Sequence, residues 1–373
     1  MSESTKELLS IRTAVGRWSG LGPYYAMFPR EFAFEVVETY SNPGDTILDP
    51  FAGRASSIYA AVAMQRQAYG FEINPVGWLY GFVKLQPASE RNVLERIKNL
   101  GTISSSIQQQ ELDSLPEFFQ FCYSSDVLRY LITARRELRW KDSRVDATVM
   151  AIILVCLHGK RENSLSNQMR QSKAMSPEYS IRWWQKNQLT PPEIDPVEFL
   201  IERTQWRYAK GLPNLSHGKV YLGDSTSLIN RLAGRVNRRE VKRFSLLFTS
   251  PPYFAVTNYH YDQWLRLWML GSSNRPTWTG EKWRGKFESK IGYHDLLKTV
   301  FLGCSKVLKK NAIVYVRTDA RSFTKETTFQ ILKDIFPKKR MEIIPRPLSK
   351  DTQTALYGDK SKKPGEIDII LHS

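Results

Sequence analysis

Cysteine is scarce: the 373 residues hold three, Cys122, Cys156 and Cys304, far apart and odd in number. A disulfide framework and a cysteine-rich zinc site are both poor readings of that pattern. No stretch approaches the ~18 uncharged apolar residues of a membrane span. The opening MSESTKELLSIRTAVGRW is polar and mixed in charge, without the apolar centre of a secretory signal. Of His158, His217, His260, His294 and His372, none is spaced with another histidine or a cysteine as metal ligands are, so no metal is expected. Acid is the scarcer charge: 37 Asp and Glu against 54 Lys and Arg give a net +17. These absences point to a reduced, cytoplasmic chain with no membrane partner. Its partner is expected to be a polyanion, of which nucleic acid is the commonest. A basic enzyme without such a partner is the alternative.

What is present suffices for a core: 42% of residues are hydrophobic and 12% aromatic. The length suits two domains, or one domain carrying a large insertion. Residues 30–40 have the spacing of an amphipathic helix, and Asn-Pro-Gly punctuates the turn after it. TILD at 46–49 reads as a buried strand, SIYAAVAM at 57–64 as the helix behind it, and AYGFEI at 68–73 as the next strand. This β–loop–α–β opening predicts a Rossmann-like sheet. Mainly helical signals follow. Strand patterns return at KVYLGD (219–224), FSLLFTS (244–250) and AIVYVRTD (312–319), then at MEIIPRPL and EIDIILHS around a polar loop. The expected fold class is α/β, with residues 1–80 and 217–373 forming one domain and a helical insertion at 81–216.

Four motifs carry chemistry. Asp49-Pro50-Phe51-Ala52-Gly53 ends the first strand; a glycine-containing loop there lets a ligand approach the backbone beside a helix N-terminus. It lacks the G-x-G-x-x-G spacing of dinucleotide binding and the lysine of a phosphate loop. Glu72 ends the next strand, where a carboxylate can accept both hydroxyls of a ribose; the alternative is a solvated strand-end charge. Asp224, in Gly223-Asp224-Ser225, can accept from an adenine amino group, or simply cap a helix. Thr249-Ser250-Pro251-Pro252-Tyr253 follows the strand FSLLF. Its prolines remove two backbone donors, leaving carbonyl and hydroxyl acceptors beside an aromatic face. An exocyclic amino group on an extruded base needs that combination.

On these residues the chain resembles the S-adenosylmethionine-dependent amino-methyltransferases of DNA, whose fold is a Rossmann-like class I methyltransferase sheet. Asp49, Phe51 and Gly53 match the cofactor loop and Glu72 the ribose acid. Tyr25-x-x-Phe28-Pro29 looks like the cofactor-contacting segment before the first strand. Ser250, Pro251, Pro252 and Tyr253 match the (D/N/S)-P-P-(Y/F/W) catalytic loop. Serine preceded by threonine looks like the cytosine-N4 branch; Asp or Asn is usual in the adenine-N6 branch. The motif order resembles the permutation with target recognition in the middle. The resemblance implies site-specific methylation of duplex DNA by base flipping, S-adenosylmethionine as cofactor, and a cognate restriction endonuclease as a candidate partner. Three rivals remain: adenine-N6 methylation, an RNA amino-methyltransferase, and a DNA-binding homologue without catalysis. Methylation at cytosine C5 is set aside, because no cysteine follows a proline.

One departure stands at Ala55, where the family loop usually has a second glycine. Alanine resists a positive φ, so a reshaped loop or weaker cofactor binding is expected. Two polar basic stretches are candidate DNA contacts. One holds Lys160, Arg161, Arg170 and Lys173 with Asn163, Asn167 and Gln168. The other holds Arg275, Lys282 and Arg284, interleaved with tryptophans. Solvated basic loops are the plain alternative for both.

Overall fold

The structure is a computed structural model that describes residues 1–23, 28–254, 259–276, 289–347 and 365–373. Strand β1 (Thr46–Asp49) is buried at all four positions, as a central parallel strand covered on both faces must be. β2 (Gln67–Glu72) lies parallel beside it, with Asp49 opposite Gly70. β3 (Gly218–Leu222) flanks β2 on the outside. β4 (Phe244–Thr249) takes the other side of β1, with Ile47 opposite Leu246, and β5 (Leu308–Asp319) lies beyond it. β6 (Arg340–Arg346) and β7 (Glu366–His372) pair antiparallel at the far edge. The order is β3-β2-β1-β4-β5-β7-β6, with β7 antiparallel to both neighbours. This is the expected Rossmann-like α/β sheet.

The chain runs outward from β1 through β2 to β3, then returns to the opposite side of β1 for β4. Strand order therefore reverses between β1 and β4. In open α/β sheets the crevice beyond the carboxyl ends at such a point is where ligands bind. Topology alone thus brings the loop after Asp49 and the loop after Thr249 to one place.

Helices cover both faces. The helix Ser56–Ala63 is buried at every residue, which explains its nearly unbroken small and apolar sequence. One apolar cluster joins it to Val37 and Val83 and runs on into Leu131, Ile153 and Leu200 of the helical insertion. The insertion therefore shares a core with the sheet rather than sealing its own. Leu228, Val300, Phe301 and Leu332 pack on the opposite face. The polar stretch expected between the last two strands lies outside the described residues, apart from Gly365. No helix among the described residues is long and apolar enough to cross a membrane.

Candidate functional site

Asp49 sits beneath the first loop and is 1% exposed. Its Oδ1 accepts from the Phe51 N–H at 3.0 Å and from the Thr249 hydroxyl at 2.6 Å, and its Oδ2 accepts from the Ser57 hydroxyl. One carboxylate thus ties together the β1 loop, the first turn of the helix behind it and the end of β4. Burial raises its pKa to about 6, against the pull of those hydrogen bonds. The loop residue Phe51 is half-buried against the second core cluster.

Gly53 takes φ +55°, and a Cβ built there would meet nothing within 4 Å, so the loop faces open space. Ala55 adopts φ 59° and ψ 41°, so the left-handed conformation favoured by glycine is kept and that residue is not reshaped. Its methyl is accommodated by the helix Pro75–Leu85, which carries Gly77 and Gly81 one turn apart. A Cβ on Gly81 would lie 2.8 Å from the Ala55 Cβ, and one on Gly77 would lie 2.8 Å from the Gly53 carbonyl oxygen. Of the two expected consequences of Ala55, a reshaped loop is not seen at that residue: the strain is kept and a facing glycine makes the room.

Glu72 is 8% exposed at the end of β2. Its carboxyl accepts from the Gly53 and Asn74 N–H groups, both at 2.7 Å. Burial pushes its pKa up to about 8. Beside it, Asn74 Oδ1 accepts from the Val76 N–H at 3.0 Å, while its Nδ2 is buried with no acceptor among the described residues. A ribose would fit this corner: hydroxyls for the spare lone pairs of Glu72 and an acceptor for Asn74 Nδ2. Asp224 caps the helix Ser225–Asn237, accepting from the Thr226 N–H at 3.0 Å. The next residue, Ser225, donates to the Pro50 carbonyl, and the Gly223 N–H donates to the Glu72 carbonyl at 2.9 Å. All three strand-end loops are therefore laced into one rim.

The fourth loop starts at Thr249, fully buried on Asp49. Ser250 is half-buried and its hydroxyl bonds no described residue, while Pro251 is buried. The Tyr253 hydroxyl donates to Glu366 Oε1 at 2.6 Å. Glu366 begins β7 and is paired with Arg317 at 3.5 Å, which is itself bidentate to the buried Asp368. Phe254 packs edge-on to Phe323, with ring centroids 4.8 Å apart. Both ends of the Pro-Pro turn are thus anchored and the serine between them is left open. Phe28 stacks on Phe248 at 5.0 Å, placing the segment before the first strand against the same strand end. Tyr25 lies outside the described residues.

The candidate DNA contacts divide. Lys160 and Arg275 are exposed and Arg161 and Arg170 half-buried. Lys173 pairs with Asp262 at 2.5 Å. Lys282 and Arg284 lie outside the described residues. The first stretch is not an open polar loop: Ser164, Leu165, Ser166 and Asn167 are buried. Asn167 Nδ2 donates to the carbonyls of Phe121 and Leu189 at 3.1 and 3.0 Å, so it secures irregular backbone and is not free to read a base edge. Thr249, Gly81 and Glu366 were not singled out for these roles from sequence. Only Thr249 carried a signal, as the residue ending a strand that neighbours an acid-ended one.

Fold and rim define the class: a Rossmann-like α/β sheet with a carboxylate at the end of each of its first two strands and an acceptor-rich loop at the switch point. Residues 2–76 match the model of a family described as DNA methylase, N6_N4_Mtase. The chain is 32% identical over 76 residues to the Type II methyltransferase M.MjaI of Methanocaldococcus jannaschii, covering 20% of this chain and 22% of that one. It is 33% identical over 89 residues to the DNA adenine methyltransferase YhdJ of Escherichia coli K12, covering 23% and 30%. The chain thus spans less than a third of the length of these curated relatives. Among solved structures, the rRNA methyltransferase aviRa of Streptomyces viridochromogenes aligns over 100% of this chain and 94% of its own at 11% identity, with a TM-score of 0.36.

Proposed function

We propose that the protein is an S-adenosylmethionine-dependent methyltransferase acting on an exocyclic amino group in duplex DNA, specifically N4 of cytosine at a defined site. The observation that carries this reading is the hydrogen bond between Thr249 and Asp49. It holds the Ser250–Tyr253 loop and the Asp49–Gly53 loop side by side at the switch point. The match of residues 2–76 to a DNA methylase family supports it, as does the net charge of +17.

The cofactor, when bound, supplies a sulfonium methyl group as the electrophile. Gly53, Glu72, Asn74 and the rim around Asp224 would hold it. The chain's own work is orientation. Pro251 and Pro252 offer no N–H, so two backbone donors are removed from the turn. The Ser250 hydroxyl and the Pro251 carbonyl accept the two N–H bonds of the amino group, which frees its lone pair from the ring. Tyr253, held at its hydroxyl by Glu366, offers a ring face on which the extruded base stacks. Acceleration then comes from positioning and exclusion of water, with no covalent enzyme intermediate. A partner endonuclease reading the same DNA site belongs to this proposal.

A second reading, adenine-N6 methylation, is favoured by the similarity to a relative whose name specifies adenine. Nucleoside mass spectrometry after incubation with methyl-labelled cofactor and mixed-sequence duplex DNA separates the two. N4-methylcytosine is expected, with Ser250→Ala lowering kcat about 100-fold or more. N6-methyladenine would replace the base assignment. Absence of label on DNA despite cofactor binding would overturn the reading.

A further inference from the structure

A cavity of about 210 Å³ opens between the N-terminal segment and the helical insertion. Leu21, Ile152, Val155 and Cys156 form its apolar floor, Arg203, Arg207 and Trp206 one wall, and Asn163 and Gln171 its mouth. Among the described residues that line it there is no carboxylate. Of its cations Arg207 is nevertheless buried and Arg203 half-buried. Arg207 is 8% exposed and donates to the Arg17 carbonyl. Arg203 Nη2 reaches Asn163 Oδ1 at 3.3 Å, while its Nε is buried with no acceptor. Arg17 joins them: its guanidinium lies 4.7 Å from the Trp206 ring centroid, and that of Arg207 lies 5.3 Å from it. Burial holds Arg207 down to about 10, and its charge in turn bears on Lys84.

A buried charge without a counter-charge is expensive, and proteins normally pair it. Here two guanidiniums, those of Arg17 and Arg207, flank one half-exposed indole, and Arg203 lies over the Phe199 ring at 4.9 Å, all with neutral partners only. The planar donor fork of arginine matches phosphate oxygens better than any other side chain. The volume falls below that of a drug-sized pocket, so it suits one small anionic group.

We propose that this cavity is a binding site for a phosphate group, completed by Arg203 and Arg207 as ligands and by Asn163 and Gln171 at its mouth. It stands apart from the crevice at Ser250 and does not depend on the methyl-transfer reading. The phosphate comes from a nucleic-acid backbone or from a free phosphate compound, and two measurements on the full chain separate these sources. The first is thermal melting in sodium phosphate against sodium chloride of equal ionic strength, with inorganic phosphate as the probe. The second is fluorescence anisotropy of a labelled duplex over a salt series.

Phosphate should raise the Tm of the native chain. Arg203→Gln should lose that rise. Asn163→Asp, an exposed substitution that puts a carboxylate beside Arg203 at the mouth, should lose it without a fall of its Tm in chloride. If the backbone is the source, Arg203→Gln also lowers the slope of log K against log salt by about 1. Loss of the phosphate effect with an unchanged slope would assign the site to a free phosphate compound. If neither the phosphate effect nor the salt slope distinguishes the native chain from the two variants, the proposal falls. Those outcomes are read without methyl transfer, so a chain that methylates nothing leaves the test intact.

Discussion

Two parts of the buried interior hold ionisable groups of opposite kind, acids in one and bases in the other. At the strand ends, Asp49 and Glu72 are sunk among hydroxyls and backbone N–H groups, with no cation bonded to either among the described residues. Between the helix Pro75–Leu85 and the insertion, the buried groups are cationic or basic. Lys84 donates to the Arg54 carbonyl at 2.7 Å, Arg207 to the Arg17 carbonyl, and Arg266 to Leu154, Gln171 and Gln263. Neither region neutralises itself by ion pairing. The acidic region suits a ligand that brings hydroxyl donors, and the cationic region suits one that brings negative charge. A single ligand of one chemistry would not satisfy both.

The largest expected effect tests whether Asp49 is the hub of its region. Asp49→Ala strands the Thr249 and Ser57 hydroxyls and the Phe51 N–H, and should cost about 3–5 kcal/mol of unfolding free energy. Thr249→Val removes one of those bonds and should cost about 1–2 kcal/mol. Urea unfolding measures both. Equal losses would mean that the carboxylate holds nothing beyond the threonine, and the link between the two loops would lose its physical basis.

The next test sets the two regions against each other through pH. Glu72 titrates near 8 when folded, because burial disfavours its charge, against ~4.3 when unfolded. Between those values the folded chain holds a proton that the unfolded chain has lost. Glu72 therefore makes stability fall as pH climbs from ~4.5 to about 8. Lys84 is pushed well below its ordinary value by burial and by the charges of Arg54 and Arg207. There the unfolded chain holds the extra proton, so Lys84 makes stability rise with pH up to ~10.5. The limiting slope for one group is about 1.4 kcal/mol per pH unit. The slope of unfolding free energy against pH should become more positive in Glu72→Gln between pH 5 and 8, and less positive in Lys84→Met as pH approaches ~10.5 from below. Slopes that move in the same direction would refute the opposition of the two regions.

Much of the frame was legible in the sequence because buried parallel strands are short unbroken apolar runs with charges at their ends. The strand expected at 68–73 is β2 at 67–72, and the run at 244–250 is β4 at 244–249. The adjacency of the Asp49 and Ser250 loops follows from strand order. Three things were not legible. Polarity at 164–167 reads as exposure, yet the Asn167 amide serves carbonyls supplied by Phe121 and Leu189 from elsewhere in the chain, and Ser164 and Ser166 bond carbonyls of their own loop. The cation-lined cavity draws on residues from 21 to 207, so no local spacing marks it. Ala55 read as a defect because the glycine that receives its methyl stands 26 positions away at Gly81.

That last pair gives the smallest predicted effect, and its sign is the point. Gly81 lies inside a helix, where replacing glycine by alanine ordinarily stabilises by up to ~1 kcal/mol. Here the new Cβ would stand 2.8 Å from the Ala55 Cβ, too close for any real contact, in a buried place. Gly81→Ala alone should therefore destabilise by about 1–3 kcal/mol, as overpacking does. Ala55→Gly removes the obstructing methyl and also relieves a left-handed alanine, a strain of ~1 kcal/mol or more. In that background Gly81→Ala should become neutral or stabilising. A double-mutant cycle in urea measures the coupling directly. A coupling energy near zero would mean that the loop bearing Gly53 does not rest on the helix carrying Gly77 and Gly81, and that its shape is set by Asp49 and Glu72 alone.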